Sequence, residues 1–247
     1  MTHAVVGLRG TRSLLAYGVK GMKHLGRFSR FALVSVGLAL SALSHAADIP
    51  LYPTGPSADS SFVRFINGTD AALELTAAGS QAKVQLDAKT PTTAYYSVRA
   101  KSAIKGQFSQ AQSKSEISTT VKAGEFVSVI ALADGAKLKH VSLGEEPDDF
   151  NALKVSLAFY NVSAKCANAG LQVVGREVIL FEKLGVNALT RRMINPVKIS
   201  VQLLCGEQTT GAPLELGELI TGERYSVFAV PAASTTRIFI VSDAVAR

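Results

Sequence analysis

The chain has 247 residues, 47% of them hydrophobic, and a formal net charge of +7. Six of its 26 Lys and Arg residues lie in the first 46 positions, which contain no Asp or Glu. The remaining 201 residues carry 20 basic and 19 acidic side chains, so the excess charge belongs to the N-terminus and does not argue for nucleic-acid binding. A length of 201 residues suits one large domain or two small ones.

The first predicted element is a secretory signal peptide over residues 1–46. A basic stretch precedes the apolar run 31–43, and Ser44 and Ala46 supply the small residues of a cleavage site after Ala46. The run is shorter than the roughly 20 residues that span a membrane, with an uncleaved anchor as the alternative. Met22 opens a signal peptide of more usual length and is a second candidate start. Export from a bacterial cytoplasm predicts a periplasmic protein.

The mature chain predicts an all-β fold of two tandem β-sandwich-like domains. Short runs rich in β-branched and aromatic residues recur between Gly, Pro, Asn and Asp, and residues 197–204 alternate apolar with polar side chains. The acidic, proline-containing segment 145–150 predicts a short linker. It separates an N-terminal domain, 47–144, from a C-terminal domain, 151–247.

Two pairs of similar segments indicate that the domains are related. RFIN (64–67) corresponds to AFYN (158–161), and GEFVSV (124–129) corresponds to GERYSV (222–227). The order is the same in both halves and the offsets are 94 and 98 residues. This favours a tandem repeat, with chance similarity between strand-rich segments as the alternative.

The two cysteines of the chain, Cys166 and Cys205, both lie in the predicted C-terminal domain. In an oxidising compartment an even number of cysteines favours a disulfide, and two buried free thiols are the alternative. No CxxC motif occurs, so neither redox catalysis nor a structural zinc site is expected.

Residues typical of an active site are scarce in the mature chain. His140 is its only histidine, and in the strand-like segment KLKH it reads as a solvated residue, because a catalytic base also needs a nucleophile and an orienting group. There is no GxSxG motif and no Gly-Asp-Ser block followed by Asp-x-x-His. We therefore predict no catalytic residue, no metal ligand and no cofactor.

Two blocks, 51–67 and 191–200, resemble the AlgF family of accessory proteins in alginate O-acetylation. The first block has the family pattern at Phe62, Val63, Arg64 and Asn67. The second block has it at Arg192, Ile194, Asn195, Pro196, Val197 and Ser200. The two cysteines depart from the pattern associated with alginate, which leaves the polymer and the exact partner open.

The resemblance implies a non-catalytic periplasmic adaptor for O-acetylation of a secreted exopolysaccharide. Its implied partners are a membrane-bound O-acyltransferase and periplasmic O-acetyltransferases, with the polysaccharide itself as a further candidate. The residues expected at a partner-binding or domain-organising surface are Arg64, Asn67, Arg191, Arg192 and Asn195. Alternatively, the asparagines cap turns and the arginines are solvated.

A carbohydrate-binding module that holds the polymer is the second functional hypothesis. Sugar-binding surfaces usually contain exposed aromatic side chains, and this chain has no tryptophan. The candidates that remain are Tyr95, Tyr96 and Tyr160. A transferase with an unfamiliar site is a third and weaker hypothesis.

Overall fold

The computed structural model describes residues 60–146 and 151–246, and every regular element within them is a β-strand. Sixteen strands form four four-stranded sheets, which confirms the predicted all-β fold with two sandwich-like domains. The predicted signal peptide, its cleavage site at Ala46 and the alternative start at Met22 lie outside the described residues. Within the described ranges no helix has the length and apolar character needed to cross a membrane.

The first sandwich consists of eight strands. They are β1 Ser60–Asn67, β2 Leu73–Ala77, β3 Lys83–Leu86, β4 Tyr96–Arg99, β5 Ala103–Gln110, β6 Ser113–Thr120, β7 Phe126–Asp134 and β8 Lys137–Glu145. One sheet has the order β4-β1-β7-β8 and the other has the order β3-β2-β5-β6. Strands β1 and β7 are parallel, whereas the other neighbouring pairs are antiparallel.

The second sandwich repeats this arrangement strand for strand. Its strands are β9 Val155–Asn161, β10 Ala169–Val173, β11 Ile179–Leu184, β12 Ala188–Ile194, β13 Lys198–Cys205, β14 Gln208–Glu218, β15 Arg224–Pro231 and β16 Thr236–Ser242. The sheet orders are β12-β9-β15-β16 and β11-β10-β13-β14, with β9 parallel to β15. The sequence repeat is therefore matched by a repeat of topology.

The central strands are buried on both faces, which explains their nearly continuous apolar sequences. In β7, Val127 and Val129 pack in the core between the two sheets of the first sandwich. Ile130 and Leu132 point the other way and pack against residues of the second sandwich. Successive side chains of a strand point to opposite faces, so one strand contributes to two cores.

We call the apolar cluster shared by the two sandwiches the joint. Its buried members are Ile66, Ile130, Leu132, Ala158, Tyr160, Val162, Phe228, Val230 and Val241. The rings of Tyr160 and Phe228 stack with their centroids 4.4 Å apart. Because burial of apolar surface is the main stabilising contribution to folding, the joint holds the sandwiches together independently of the linker.

The predicted linker, 145–150, begins one residue too early, because its first residue still belongs to a strand. Glu145 is the last residue of β8, and only 7% of its surface is exposed. As the end of β8 it belongs to the first sandwich and not to a solvated linker. Its carboxylate is bound by Arg191 of the second sandwich. Residues 147–150 of the linker lie outside the described residues.

A disulfide joins Cys166, in the loop after β9, to Cys205 at the end of β13. The Cα atoms are 5.0 Å apart, within the range that a disulfide can bridge. The bond ties the loop between β9 and β10 to the end of strand β13. The first sandwich has the same topology but no cysteine.

Candidate functional site

The candidate site is a cluster of buried charged residues at one end of the joint. Arg64 lies on the central strand β1, in the run of alternate residues that faces the second sandwich. Its guanidinium donates hydrogen bonds to Ser128 Oγ at 2.8 Å, to Ser226 Oγ at 2.9 Å and to Asp243 Oδ1 at 2.6 Å. The side chains of Arg64 and Asp243 are each 1% exposed. One arginine of the first sandwich is thus bonded to two residues of the second.

Arg191 makes the reciprocal contact from strand β12 of the second sandwich. Its guanidinium donates to both carboxylate oxygens of Glu145, at 2.8 and 2.7 Å, and to Asp243 Oδ2 at 2.8 Å. A bidentate arginine–carboxylate pair is among the stronger side-chain interactions in proteins. Asp243 therefore accepts from both arginines and links the two ion pairs into one network.

Aromatic rings surround this network. The Arg64 guanidinium carbon lies 4.5 Å from the ring centroid of Tyr95 and 5.2 Å from that of Phe228. Arg224 extends the network, with its guanidinium 3.6 Å from Glu145 and 5.5 Å from the ring of Phe126. Such cation–π contacts stabilise an arginine that has lost its water.

The pKa directions show that the charges are retained despite burial. Burial alone would raise the pKa of Asp243, but Arg64 and Arg191 outweigh it and hold the pKa below its ordinary value. Burial would lower the pKa of Arg64, and Asp243 raises it above its usual value. Burial raises the pKa of the Tyr95 phenol well above normal and that of Tyr160 in the same direction. The carboxylate stays ionised and the tyrosines stay neutral.

The backbone after strand β16 closes the same end of the joint. Tyr95 N–H donates to the carbonyl of Ala244 at 2.8 Å, and the N–H of Ala246 donates to the carbonyl of Tyr95 at 2.8 Å. Tyr95 and Val245 form an isolated parallel bridge. A segment of the second sandwich thus adds to the edge of a sheet in the first.

This arrangement can orient the two sandwiches, but its charged groups are not accessible to a substrate. The arginines and carboxylates are paired with one another, and the side chains of Arg191 and Glu145 are only 6% and 5% exposed. A group that binds or transforms a substrate has to reach it. Arg64 and Arg191 each bond residues of the other sandwich, and their role at a partner-binding or domain-organising surface stays a prediction. Neither residue lies on a surface open to a partner.

Asn67 is buried as well, and it caps a turn. Its amide donates to the carbonyls of Ala71 and Leu86 at 2.8 and 2.9 Å and accepts from Thr69 N–H at 2.9 Å. Asn161 occupies the equivalent position in the second sandwich and makes the same three kinds of bond. The repeated asparagine thus caps the turn after the central strand in both sandwiches.

Arg192 and Asn195 are the two predicted site residues that remain exposed. Arg192 donates from Nη1 to the carbonyl of Leu180 at 2.6 Å, and Asn195 accepts from Lys154 Nζ at 2.5 Å. Both lie on the second sandwich and are open to solvent on one side. The structure does not bring them together with Arg64.

The aromatic and histidine candidates are also mostly withdrawn from solvent. Tyr95 is 1% exposed and Tyr160 is fully buried, so of the three tyrosines only Tyr96, 41% exposed, could contact a sugar. His140 Nδ1 lies 2.9 Å from Ser115 Oγ, and burial lowers the pKa of its imidazole. Among residues 60–146 and 151–246 no three His, Cys, Asp or Glu side chains are grouped as metal ligands would be.

Sequence reasoning missed Glu145, Ser128, Ser226 and Asp243. The signal was present in the repeat, because the offset of 98 residues relates Ser128 to Ser226 and also Glu145 to Asp243. Glu145 ends the last strand of the first sandwich, and Asp243 directly follows the last strand of the second. The repeat therefore marks these acids and serines as equivalent positions, although it does not show which arginines they meet.

The fold and the site together define a tandem double β-sandwich whose buried charges hold its halves together. No protein-family model matches the chain, and no curated protein matches it. Among solved structures, the C-terminal domain of AlgF from P. aeruginosa is 20% identical over 36% of this chain and 98% of that domain, with a TM-score of 0.31.

Two further solved structures are similar over more of the chain. The Bacillus anthracis TIE protein is 9% identical over 72% of this chain and 34% of its own, with a TM-score of 0.25. A family 26 carbohydrate-binding module from Eubacterium rectale Amy13K is 11% identical over 73% of this chain and 96% of its own, with a TM-score of 0.23. Because the three TM-scores are below 0.5, these likenesses carry no argument about function.

Proposed function

We propose that the protein is a non-catalytic periplasmic adaptor for O-acetylation of a secreted exopolysaccharide, either alginate or a similar polymer. It couples a membrane-bound O-acyltransferase to periplasmic O-acetyltransferases. The two sequence blocks around Arg64 and Arg192 support this function because they resemble a family with that role. The signal-peptide pattern before Ala46 supports the compartment.

The observation that carries the proposal is the placement of the buried charges. Arg64, Arg191, Glu145 and Asp243 are bonded to one another across the joint. Active sites usually keep such perturbed groups in an open cleft, where they can meet a substrate. Here the same groups fix the orientation of two sandwiches, as a protein that presents two surfaces to two partners requires.

The proposal predicts how acetylation depends on the protein. Purified mature protein should neither release acetate from an acetyl ester nor acetylate a polysaccharide by itself. Deletion of its gene should abolish acetylation of the secreted polymer, and a plasmid copy should restore it. Acetate release that is lost on replacing His140 or one particular serine would refute the adaptor function.

Partner binding is tested with an exposed residue of the second block. Arg192→Glu should weaken capture of an acetyltransferase from the same bacterium, because reversing a surface charge at an interface slows association. Lys105→Glu makes the same charge change on an exposed residue of strand β5 and should leave capture unchanged. Equal capture by both variants would show that Arg192 is not at the interface.

A further inference from the structure

A groove opens between the sandwiches at the other end of the joint. The ionic network uses Ser128 and Ser226, which lie early in β7 and β15. The groove is lined by the last residues of those strands and by neighbouring loops. Its volume is about 430 Å³, and Leu132 and Val162 give it a buried apolar floor. This size is within the range of roughly 300–1,000 Å³ of small-molecule sites, which often lie between domains.

The polar groups of the groove come from both sandwiches. Lys165 of the second sandwich donates from Nζ to the carbonyls of Ala232 and Ala233, at 2.6 and 2.8 Å. Lys139 of the first sandwich lies 3.4 Å from Asp134, and both side chains are at least half exposed. An ammonium group has three donors and a carboxylate has two acceptor oxygens, so these groups can bind a ligand while keeping their present contacts.

A smaller cavity of about 250 Å³ adjoins the groove and shares Thr69 and Asp70 with it. Arg237 spans the boundary, donating to Asp70 at 2.9 Å and to the carbonyl of Thr69 at 2.7 Å. The ring of Phe239 lines the smaller cavity, and the Arg237 guanidinium is 5.1 Å from its centroid. Two adjoining cavities suit an extended chain better than a compact ligand.

The charges of the two cavities balance. The acidic side chains that line them are those of Asp70, Asp87 and Asp134. The basic ones are those of Lys139, Lys165 and Arg237. An anionic polymer would require an excess of positive charge. Equal numbers of acidic and basic side chains instead suit a neutral ligand rich in hydroxyl groups.

We infer that the two cavities bind a short segment of a neutral, hydroxyl-rich polysaccharide. The exposed side chains of Asp134 and Lys165 hydrogen-bond the hydroxyl groups of the sugar. The inference rests on the proposed function and, among the polymers that function allows, selects a neutral one instead of the anionic alginate. It adds that the adaptor contacts the acceptor polymer as well as the enzymes.

Calorimetric titration of the mature chain with two probes of equal length tests the inference. Cellohexaose is neutral and should bind saturably, whereas hexagalacturonic acid carries a carboxylate on each unit and should bind at least about tenfold more weakly. Failure of cellohexaose to bind would overturn the inference. Tighter binding of the acidic probe would overturn the assignment of a neutral ligand.

Two variants locate the site, and both change exposed side chains. Lys165→Ala and Asp134→Asn should each weaken cellohexaose binding by about tenfold, the effect of losing a charge-assisted hydrogen bond. Lys105→Ala on strand β5 is the matched control and should bind normally. Unchanged binding in both groove variants would place the ligand elsewhere.

Measuring polymer acetylation in cells that lack the gene distinguishes failure of this inference from failure of the adaptor function. If the gene is needed for acetylation but cellohexaose does not bind, only the polysaccharide site is refuted. If cellohexaose binds but deletion of the gene leaves acetylation intact, only the adaptor function is refuted.

Discussion

Replacement of Asp243 by asparagine tests the ionic network most directly. Asparagine has the same shape and removes the negative charge, so Arg64 and Arg191 then face Glu145 as the remaining carboxylate of the network. The wild-type carboxylate accepts from Arg64, from Arg191 and from Ser226 Oγ at 2.6, 2.8 and 2.7 Å. The backbone contacts of Tyr95 with Ala244 and Ala246 do not depend on the substituted atom.

We expect Asp243→Asn to lower the free energy of unfolding by about 3–5 kcal/mol, the usual cost of removing one partner of a buried ion pair. The side chain is 1% exposed, so water cannot replace the lost charge. The pH dependence has a definite sign. Because the folded pKa of Asp243 is lowered, its contribution is present above the unfolded pKa of about 3.9 and is lost as the pH falls through the folded pKa.

Urea unfolding of the protein, followed by circular dichroism at pH 7 and pH 3, measures both effects. The matched control is Asp134→Asn, which makes the same substitution in an exposed pair with Lys139 and should cost about 1 kcal/mol or less. The difference between wild type and Asp243→Asn should shrink at the lower pH. A loss no larger than that of the control would refute the argument that the network stabilises the joint.

Three other predictions concern stability and titration. Replacing Cys166 and Cys205 by serine should lower the free energy of unfolding by about 3–4 kcal/mol, because the disulfide closes a loop of 39 residues. Unfolding of the wild type in reductant should give the same loss, and an unchanged free energy of unfolding would contradict this prediction. Asn67→Ala should cost about 1–3 kcal/mol by leaving buried carbonyl groups unpaired, whereas Gln85→Ala, which removes an exposed amide, should cost little by thermal unfolding. The NMR titration midpoint of His140 should lie below the usual value of about 6.5, because burial disfavours the charged imidazolium; a midpoint at or above that value would contradict it.

The sequence predicts the strand content and the repeat because both leave local signals. Alternation and turn residues mark the strands, and the paired segments around Asn67 and Asn161 mark equivalent positions. The joint leaves no such signal. In β1, Val63 and Phe65 belong to the core of the first sandwich while Arg64 and Ile66 face the second.

From the sequence alone, an arginine inside an apolar strand is expected to face solvent. No local pattern shows that another domain covers that face of the sheet. The partner of Arg64 lies 179 residues away in the chain. The offset between the repeats does relate Glu145 to Asp243, but it cannot tell that the acids meet arginines on different strands, β1 and β12. Long-range pairing of this kind depends on how the sandwiches pack, which composition and periodicity do not encode.

The position of Asp243 in the chain has a consequence for the order of folding. Asp243 follows all sixteen strands, so Arg64 is synthesised long before its carboxylate partner. The first sandwich must therefore expose Ile130, Leu132 and an unneutralised Arg64 until the second is complete. Closure of the joint is then a late event, and contacts of such long sequence separation form slowly. In the meantime the exposed apolar strands are prone to aggregate, so a chaperone should bind the unfinished face.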